Sequence, residues 1–279
     1  MPTQGYNAAM MDTASTDDVP TIQRFGRADL QTHTAHGDGM ADAQTMLDYV
    51  EHSTDLDVIA VTDHDDVGGA LAARDAHARG DYRFEFVPGI EITTRAGHLL
   101  ALWVDEPIPS LRPLAESVEL VHRAGGIAVV PHPFSWLTRS IGRRTLDRLL
   151  ENGDPATHPD GIEVANSSLA GRVTSTRALR RNRERYGLAE TGGSDAHFLE
   201  AVGTAATIFR GRTAAELREA IEARETMGQM GRAPSMRRLG FKQLAAQQVR
   251  GLSVTPRKVI GAQLEKWRSP EPPTIGGLR

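Results

Sequence analysis

The stretch DVIAVTDH, residues 57–64, joins a short apolar run to a polar ending. Four consecutive apolar residues, two of them valine and one isoleucine, are typical of a strand that is buried on both faces. A similar pattern, IAVVPHP, occurs at 127–133, and seven or eight strand-like runs follow one another between Arg27 and Phe209. Helical patterns separate most of these runs, and such alternation predicts a parallel sheet, which seven or eight units would close most naturally into a barrel.

The predicted elements can be placed along the chain. Strands are predicted at 27–33, 57–64, 85–94, 98–104, 126–132, 161–166 and 189–195, with a weaker eighth at 204–209. Helices are predicted at 43–51, 70–79, 111–124, 142–150, 175–186 and 214–225. Thr213, followed three residues later by Glu216, forms a capping box that marks the start of the last helix. The expected fold class is therefore α/β.

Composition narrows the class of protein. The 279 residues are 39% hydrophobic and 24% charged, as in globular proteins. There is no cysteine, which excludes disulfides, cysteine-ligated zinc, iron–sulfur clusters and a cysteine nucleophile. No apolar run approaches the roughly 20 residues of a membrane span, and the first residues lack the basic and apolar regions of a secretory signal. We therefore expect no transmembrane segment and a cytoplasmic location.

Charge divides the chain unevenly. Residues 232–279 contain ten Lys or Arg and two Asp or Glu, which gives this segment a net charge of +8. Since the whole chain has a net charge of −4, residues 1–231 have a net charge of −12. We expect a flexible N-terminal arm at 1–22, a barrel domain at 23–228 and a basic helical tail at 229–279. The tail at 232–279 suits nucleic acid or an anionic membrane surface; alternatively it packs against the acidic barrel or is solvated.

Side chains that bind metals cluster at the ends of the predicted strands. They are His33, His64, Glu91, His98, His132, Asp195 and His197, with Asp38 shortly after the first strand. In a β/α barrel the C-terminal ends of the strands form one rim, and active sites lie there. Imidazoles and carboxylates that converge from six strands suit divalent Zn, Mn or Fe. The sequence therefore predicts a metal site at this rim.

The competing interpretation treats each histidine separately, because a single histidine is more often a packing or surface residue than a ligand. It fits His52, His77 and His122, which lie in predicted helices, and His158, which lies in a loop next to proline. His36 is ambiguous. It does not fit the other five histidines, at 33, 64, 98, 132 and 197, which all lie at strand starts or ends and whose arrangement favours a shared site.

The motif order DLxxHT…DG, TDH, GIE, HLL, PHP and SDAH resembles the PHP family, named for polymerase and histidinol phosphatase. The resemblance covers about residues 27–212. It implies a distorted seven-stranded, TIM-like β/α barrel and metal-dependent phosphoesterase activity with two or three divalent ions. Carried over position by position, it implies the ligands His33, Asp38, His64, Glu91, His98, His132, Asp195 and His197.

The resemblance also implies which of these residues would bind which ion. Glu91 would bridge two ions, one of them held by His33 and Asp195 and the other by His98 and His132. The set Asp38, His64 and His197 would hold a third ion. Glu91, Asp195 and His197 would form the catalytic set.

Gln31 departs from the family pattern. The family usually begins with two histidines spaced as HxH, whereas this chain has Gln31 before His33. An amide carbonyl is a poor ligand for a transition metal, so the first site is expected to be weak or empty. This leaves the number of ions, two or three, open; His36 is near enough in sequence to compensate.

Two ions roughly 3.5–4 Å apart lower the pKa of a bridging water and neutralise phosphoryl charge. The expected reaction is therefore hydrolysis of a phosphate ester of a small metabolite, nucleotide or oligonucleotide by a metal-bound hydroxide. Arg139 and Arg143 follow the sequence Pro131-His132-Pro133, in a loop that is expected to lie over the rim. They are candidates for binding the phosphate, because a guanidinium matches its oxygens. A position at a solvated helix start explains these two arginines equally well. No glycine-rich phosphate loop indicates a nucleotide cofactor.

Two other functions stay open at this stage. The same metal-bound hydroxide hydrolyses a non-phosphate ester, amide or carbamate, because it also attacks a carbonyl carbon. A barrel with a degraded metal site would instead be a non-catalytic binding module, for which Gln31 is the only support.

Overall fold

Nine strands of one mixed sheet curve into a nearly closed barrel in a computed structural model, which describes residues 24–151, 154–232, 247 and 249–250. The strands are β1 Phe25–Asp29, β2 Val58–Val61, β3 Glu85–Thr93, β4 His98–Leu102, β5 Ile127–Val130, β6 Gly161–Asn166, β7 Ala189–Gly193, β8 Ala205–Arg210 and β9 Met227–Met230. Their order in the sheet is β7-β6-β5-β4-β3-β2-β1-β8-β9. The predicted arm at 1–22 and nearly all of the predicted tail lie outside the described residues.

The barrel differs from the expected one in strand number and direction. The sequence predicts seven or eight strands in a parallel sheet, whereas the described residues form nine; β4 runs antiparallel to both β3 and β5, and β8 runs antiparallel to β1 and β9. A tight turn joins β3 to β4, closed by a bond of 3.0 Å from Thr94 N–H to Gly97 O, so no crossover helix fits between them. The sequence MGQM of β9 is largely exposed and lacks apolar alternation, which is why the pattern does not predict it.

Seven α-helices accompany the strands in the described residues up to 232. They are α1 Ala43–Ser53, α2 Gly68–Arg79, α3 Leu114–Arg123, α4 Arg143–Glu151, α5 Leu169–Arg172, α6 Ser175–Arg181 and α7 Ala214–Glu222. The capping box predicted at Thr213 and Glu216 is present, and it starts α7. In the part of the chain that the structure describes, no helix has both the length and the apolar character needed to cross a bilayer.

Alternation along the strands fills two separate layers of core. On β2, Val58 and Ala60 belong to the cluster inside the barrel, whereas Ile59 and Val61 pack outward with α1 and α2. All four side chains are fully buried. A strand that is buried on both faces is therefore apolar throughout, and its polar residues come only after its last apolar residue. This places the polar residues that follow the strands on the barrel rim.

Candidate metal centre

Strand direction brings the predicted metal-binding residues to one rim. His33 and His64 follow β1 and β2, and Thr32 and His64 form isolated bridges to Ala196 and Glu91 that continue the barrel beyond the named strands. His98 is the first residue of β4, and it reaches the same rim because β4 runs in the opposite direction. His132 follows β5, and the Asp195–His197 segment follows β7. All eight predicted ligands therefore belong to one end of the barrel.

A cavity of about 260 Å³ opens at this rim. Its lining consists of Asp38, His64, Glu91, His98, His132, Leu137, Thr138, Asp195, His197 and Gln247. His33 lies behind this lining and is fully buried. Arg250, three residues after Gln247, donates to the backbone oxygens of Ala35 and Gly37 at 2.6 and 3.1 Å. The sequence pattern gave no signal for Gln247.

Glu91 stands at the centre of the cluster. Its Oε1 lies 2.8 Å from His98 Nδ1 and 3.1 Å from His132 Nε2. Its Oε2 lies 3.2 Å from His33 Nε2 and 3.7 Å from His64 Nδ1. The carboxylate is fully buried. One negative charge is therefore surrounded by four imidazoles.

A second group surrounds Asp38 on the far side of His33. Asp38 lies 3.2 Å from His197 Nε2 and 3.9 Å from His33 Nδ1, and Asp195 lies 3.2 Å from His33 Nε2. Three overlapping sets have candidate ligand atoms within 4.8 Å of one another. They are His33, Asp38, His64 and His197; His64, Glu91 and His98; and His33, Glu91 and Asp195. His132 is in none of these sets, but its bond to Glu91 keeps it in the cluster.

Several of these buried atoms have neighbours within ion-pair distance and yet form no hydrogen bond. They are Nδ1 and Nε2 of His33, Oδ1 of Asp38, Nδ1 of His64 and Nδ1 of His98. A buried polar atom without a hydrogen bond is costly in a folded protein and needs a compensating partner. Lone pairs that converge without bonding one another fit divalent cations, so the residues present suit the metals that the sequence predicts.

The charges in the cluster shift its pKa values strongly. Burial by itself raises the pKa of Glu91, but His64, His98, His132 and His33 overcome it and hold that pKa well below its usual range. Burial lowers the pKa of His132, but the bond and the charge of Glu91 outweigh it and raise that pKa to about 9. Without a cation, the imidazoles of His33 and His132 thus carry positive charge beside the carboxylates, whereas burial lowers the pKa of His64 to about 4.

Backbone geometry aims two of these side chains. His132 and Asp195 have φ values of 30° and 54°, in the left-handed region that residues other than glycine rarely adopt. Such conformations persist only where the surroundings fix them, and they concentrate at functional sites. Here Glu163 Oε2 accepts from His132 N–H at 2.7 Å, and Gln31 O accepts from Asp195 N–H at 2.9 Å.

The loops that carry the cluster have their own supports. Asp63 accepts from both the amide and the hydroxyl of Thr34, at 2.7 and 2.5 Å, and so anchors the segment that carries Asp38. Asp65 accepts from the amide and hydroxyl of Thr93, at 2.6 and 2.7 Å, just beyond Glu91. Both aspartates therefore cap and join neighbouring strand ends.

Gln31 is fully buried beside Glu91 and has a fixed orientation. Its Nε2 donates to Glu91 Oε2 at 2.9 Å, and its Oε1 accepts from Asn166 Nδ2 at 3.0 Å. Asn166 Nδ2 also donates to Glu163 Oε2 at 2.8 Å. The amide oxygen of Gln31 thus faces Asn166, and its nitrogen faces the carboxylate. His36, suggested as a substitute ligand, instead lies 3.0 Å from Asp66 and is largely exposed.

Glu163 and Asn166 are parts of the site to which the sequence pattern gives no role. Both are buried at the rim end of β6, and burial raises the pKa of Glu163 to about 8. A side chain at Gly193, on the adjacent β7, would collide with both Glu163 and Gln31. Their position at a strand end is the only sequence signal that could have identified them.

The two predicted phosphate-binding arginines lie beside the rim. Arg139 is exposed, and its carbonyl accepts from His98 N–H at 2.9 Å, which fixes its backbone against the cluster. Arg143 is exposed at the start of α4. Neither guanidinium forms an ion pair with any residue that the structure describes.

Comparison with known proteins gives matches in sequence and in fold. An uncharacterized protein of Methanocaldococcus jannaschii is 27% identical over 166 residues, 56% of this chain and 90% of that protein. The 5'-3' exoribonuclease Rnm of Salmonella typhimurium is 32% identical over 98 residues, about a third of each chain. A two-domain protein from Bacteroides vulgatus, containing a predicted PHP-like metal-dependent phosphoesterase, superposes with a TM-score of 0.60 at 19% identity, covering 82% of this chain and 70% of that one.

A family model described as PHP-associated matches residues 176–226, which include β7, β8 and α7. This segment supplies Asp195 and His197 to the rim cluster. Part of the sequence thus resembles a PHP-associated family, and the fold resembles that of the PHP-like protein from Bacteroides vulgatus.

Proposed function

We propose that this protein hydrolyses a phosphate ester of a small metabolite, a nucleotide or an oligonucleotide, with two or three divalent ions held at the rim. The observation that carries the proposal is the convergence of buried imidazole and carboxylate atoms that form no hydrogen bonds. A site that only stabilised the fold would satisfy these atoms internally. The open cavity beside them gives a substrate access.

The proposed ligands are the eight residues of the cluster. They are His33, Asp38, His64, Glu91, His98, His132, Asp195 and His197. Bound divalent ions would supply two things, a lowered pKa for water and neutralisation of phosphoryl charge. Imidazole and carboxylate together favour Zn, Mn or Fe over Mg or Ca.

The protein's own residues would prepare this reaction. Glu91 would keep two cations close together by its charge, and its burial excludes water that would screen that charge. Asp195 and His197 line the cavity, where they would contact both a cation and the phosphate. Arg139 and Arg143 would bind phosphate oxygens from outside, because a guanidinium matches their geometry with two parallel N–H groups.

A screen of phosphorylated compounds with Mn²⁺ and Zn²⁺ tests the proposed function. We expect phosphate release from p-nitrophenyl phosphate or from a phosphorylated metabolite, loss of that release with a chelator, and recovery when metal is added back. Activity on an aryl ester alone would instead establish the non-phosphate hydrolase. Purified protein that binds almost no metal would contradict both reactions and leave the binding module.

The affinity of the cluster for a divalent ion should increase as the pH rises. The pKa of His132 is raised to about 9 without a metal, so this imidazole is protonated at pH 7, whereas a ligand imidazole must be neutral. Each Mn²⁺ bound through it should therefore displace about one proton, and affinity should increase up to about pH 9. An ordinary histidine would give no further increase above its usual pKa of about 6.5.

Calorimetric titration of the metal-free protein with Mn²⁺, in buffers of different ionisation enthalpy, measures this release directly. His132→Gln should release about one proton fewer than the wild type. The solvated His52→Gln, on α1, is the matched control and should not differ. Equal affinity at pH 7 and pH 9 would contradict the raised pKa.

A further inference from the structure

The loop between β5 and α4 has a base that is fixed to the metal cluster. Phe134 N–H donates to Ile141 O at 3.1 Å, which closes the loop on itself. Ser140 Oγ lies 2.8 Å from His132 O and 2.9 Å from His132 Nδ1, and Arg139 O accepts from His98 N–H. Two candidate ligands therefore determine where the tip of this loop lies.

The tip of the loop forms the outer wall of the cavity. Leu137 and Thr138 both line the cavity, and Trp136 directly precedes them. The Trp136 side chain is 80% exposed, more than any other large hydrophobic side chain in the described ranges. Consecutive Cα atoms are about 3.8 Å apart, so the indole begins one residue from the cavity lining. An exposed tryptophan contributes none of the stabilisation that burial of its large apolar surface would give the fold. Its position on a fixed loop beside the cavity therefore needs another explanation.

We propose that Trp136 is a platform on which the substrate's nucleobase stacks while its phosphate lies at the metal cluster. The proposal rests on the phosphoesterase function above and narrows it to substrates that carry a base. An indole presents a flat π face, and bases of every type stack on such faces. Exposed Arg139 and Arg143 follow on the same segment, so the platform adjoins positive charge that suits a nucleotide's phosphates.

A nucleotide fits this wall better than a protein partner does. Among the described residues, the loop and the segment near the C-terminus contribute Leu137, Thr138 and Gln247 to the outer wall beside Trp136. That is a small surface, whereas a stable protein interface needs roughly 800 Å² from each partner. One base on one indole needs only the area of a single ring.

Kinetics with a matched pair of substrates tests the platform. Adenosine 5'-monophosphate carries a base, and ribose 5-phosphate lacks one. With Trp136→Ala we expect KM for the nucleotide to rise about tenfold, with kcat nearly constant, and KM for ribose 5-phosphate to be unchanged. Trp136→Phe should restore most of the nucleotide KM, because a phenyl ring also stacks. Phe25→Ala removes another exposed aromatic side chain, at the first residue of β1, and should change neither substrate.

A binding measurement separates the platform from the reaction. Adenosine 5'-monophosphate should quench the intrinsic fluorescence of the metal-loaded wild type, and Trp136→Phe should abolish most of this quenching. If no phosphate ester is hydrolysed but Trp136 is still quenched, the phosphoesterase proposal fails and the platform stands. If both substrates are hydrolysed and Trp136→Ala changes their KM values equally, the platform is overturned and the phosphoesterase stands. Loss of self-association in Trp136→Ala, with unchanged KM values, would also overturn it.

Discussion

Replacement of Glu91 by glutamine should lower turnover by at least about tenfold while the barrel still folds. Glutamine keeps the shape of the side chain and removes the charge. That charge is the one group that all four surrounding imidazoles share, with separations of 2.8–3.7 Å from its two oxygens. Without it, two cations held close together would repel each other with no anion between them. The variant should therefore bind less metal and lose activity together.

A second buried glutamate provides the control for this experiment. Glu163 is also at the rim and 1% exposed, but its Oε2 contacts a backbone N–H and an amide rather than imidazole rings. Burial raises its pKa to about 8, so it is largely protonated at pH 7 and Glu163→Gln changes little charge. We expect that variant to keep most of the activity. The readouts are kcat, metal content and the far-ultraviolet circular dichroism spectrum; a Glu91→Gln protein with more than about a tenth of wild-type turnover would contradict the bridging role.

The site could be predicted because strand ends meet wherever the barrel closes. The residue types after each apolar run were therefore sufficient to predict that His33, Glu91 and Asp195 lie together, although His33 and Asp195 are 162 positions apart in the sequence. Strand direction matters for His98: in the parallel sheet that the sequence predicts, a residue at the start of its strand would lie at the opposite rim, and His98 reaches the cluster because β4 is antiparallel.

The remaining features depend on contacts that local sequence patterns do not encode. The bond between Gln31 and Asn166 joins residues 135 positions apart, and neither residue is recognisable as a partner of the other by type or spacing. The strand β9, with the sequence MGQM, is largely exposed and lacks apolar alternation, and it is extended through its pairing with β8. The same strand crosses the predicted domain boundary at 228/229.

Gln31 provides the second prediction, because its environment explains why it cannot act as a ligand. Its oxygen, the only atom of the amide that could bind a cation, accepts a hydrogen bond from Asn166, and its nitrogen donates to Glu91 Oε2. That donation also occupies a lone pair on the carboxylate next to His33. The first position therefore keeps only His33, Glu91 and Asp195, which are the three members of one of the candidate sets.

Gln31→His should therefore raise the metal content by about one ion per chain, because the added imidazole would complete the four-ligand shell that zinc prefers. Gln31→Leu is the matched control: it removes the same bond to Glu91 and supplies no ligand, so its metal content should equal that of the wild type. The opposing hypothesis is that Gln31 orients Glu91 or a bound water in a working two-metal site. In that case both variants would lose activity with no change in metal content. Elemental analysis of the three proteins, purified side by side from zinc-supplemented medium, decides between these outcomes. Equal zinc in all three would mean that the absent histidine does not cost this protein an ion.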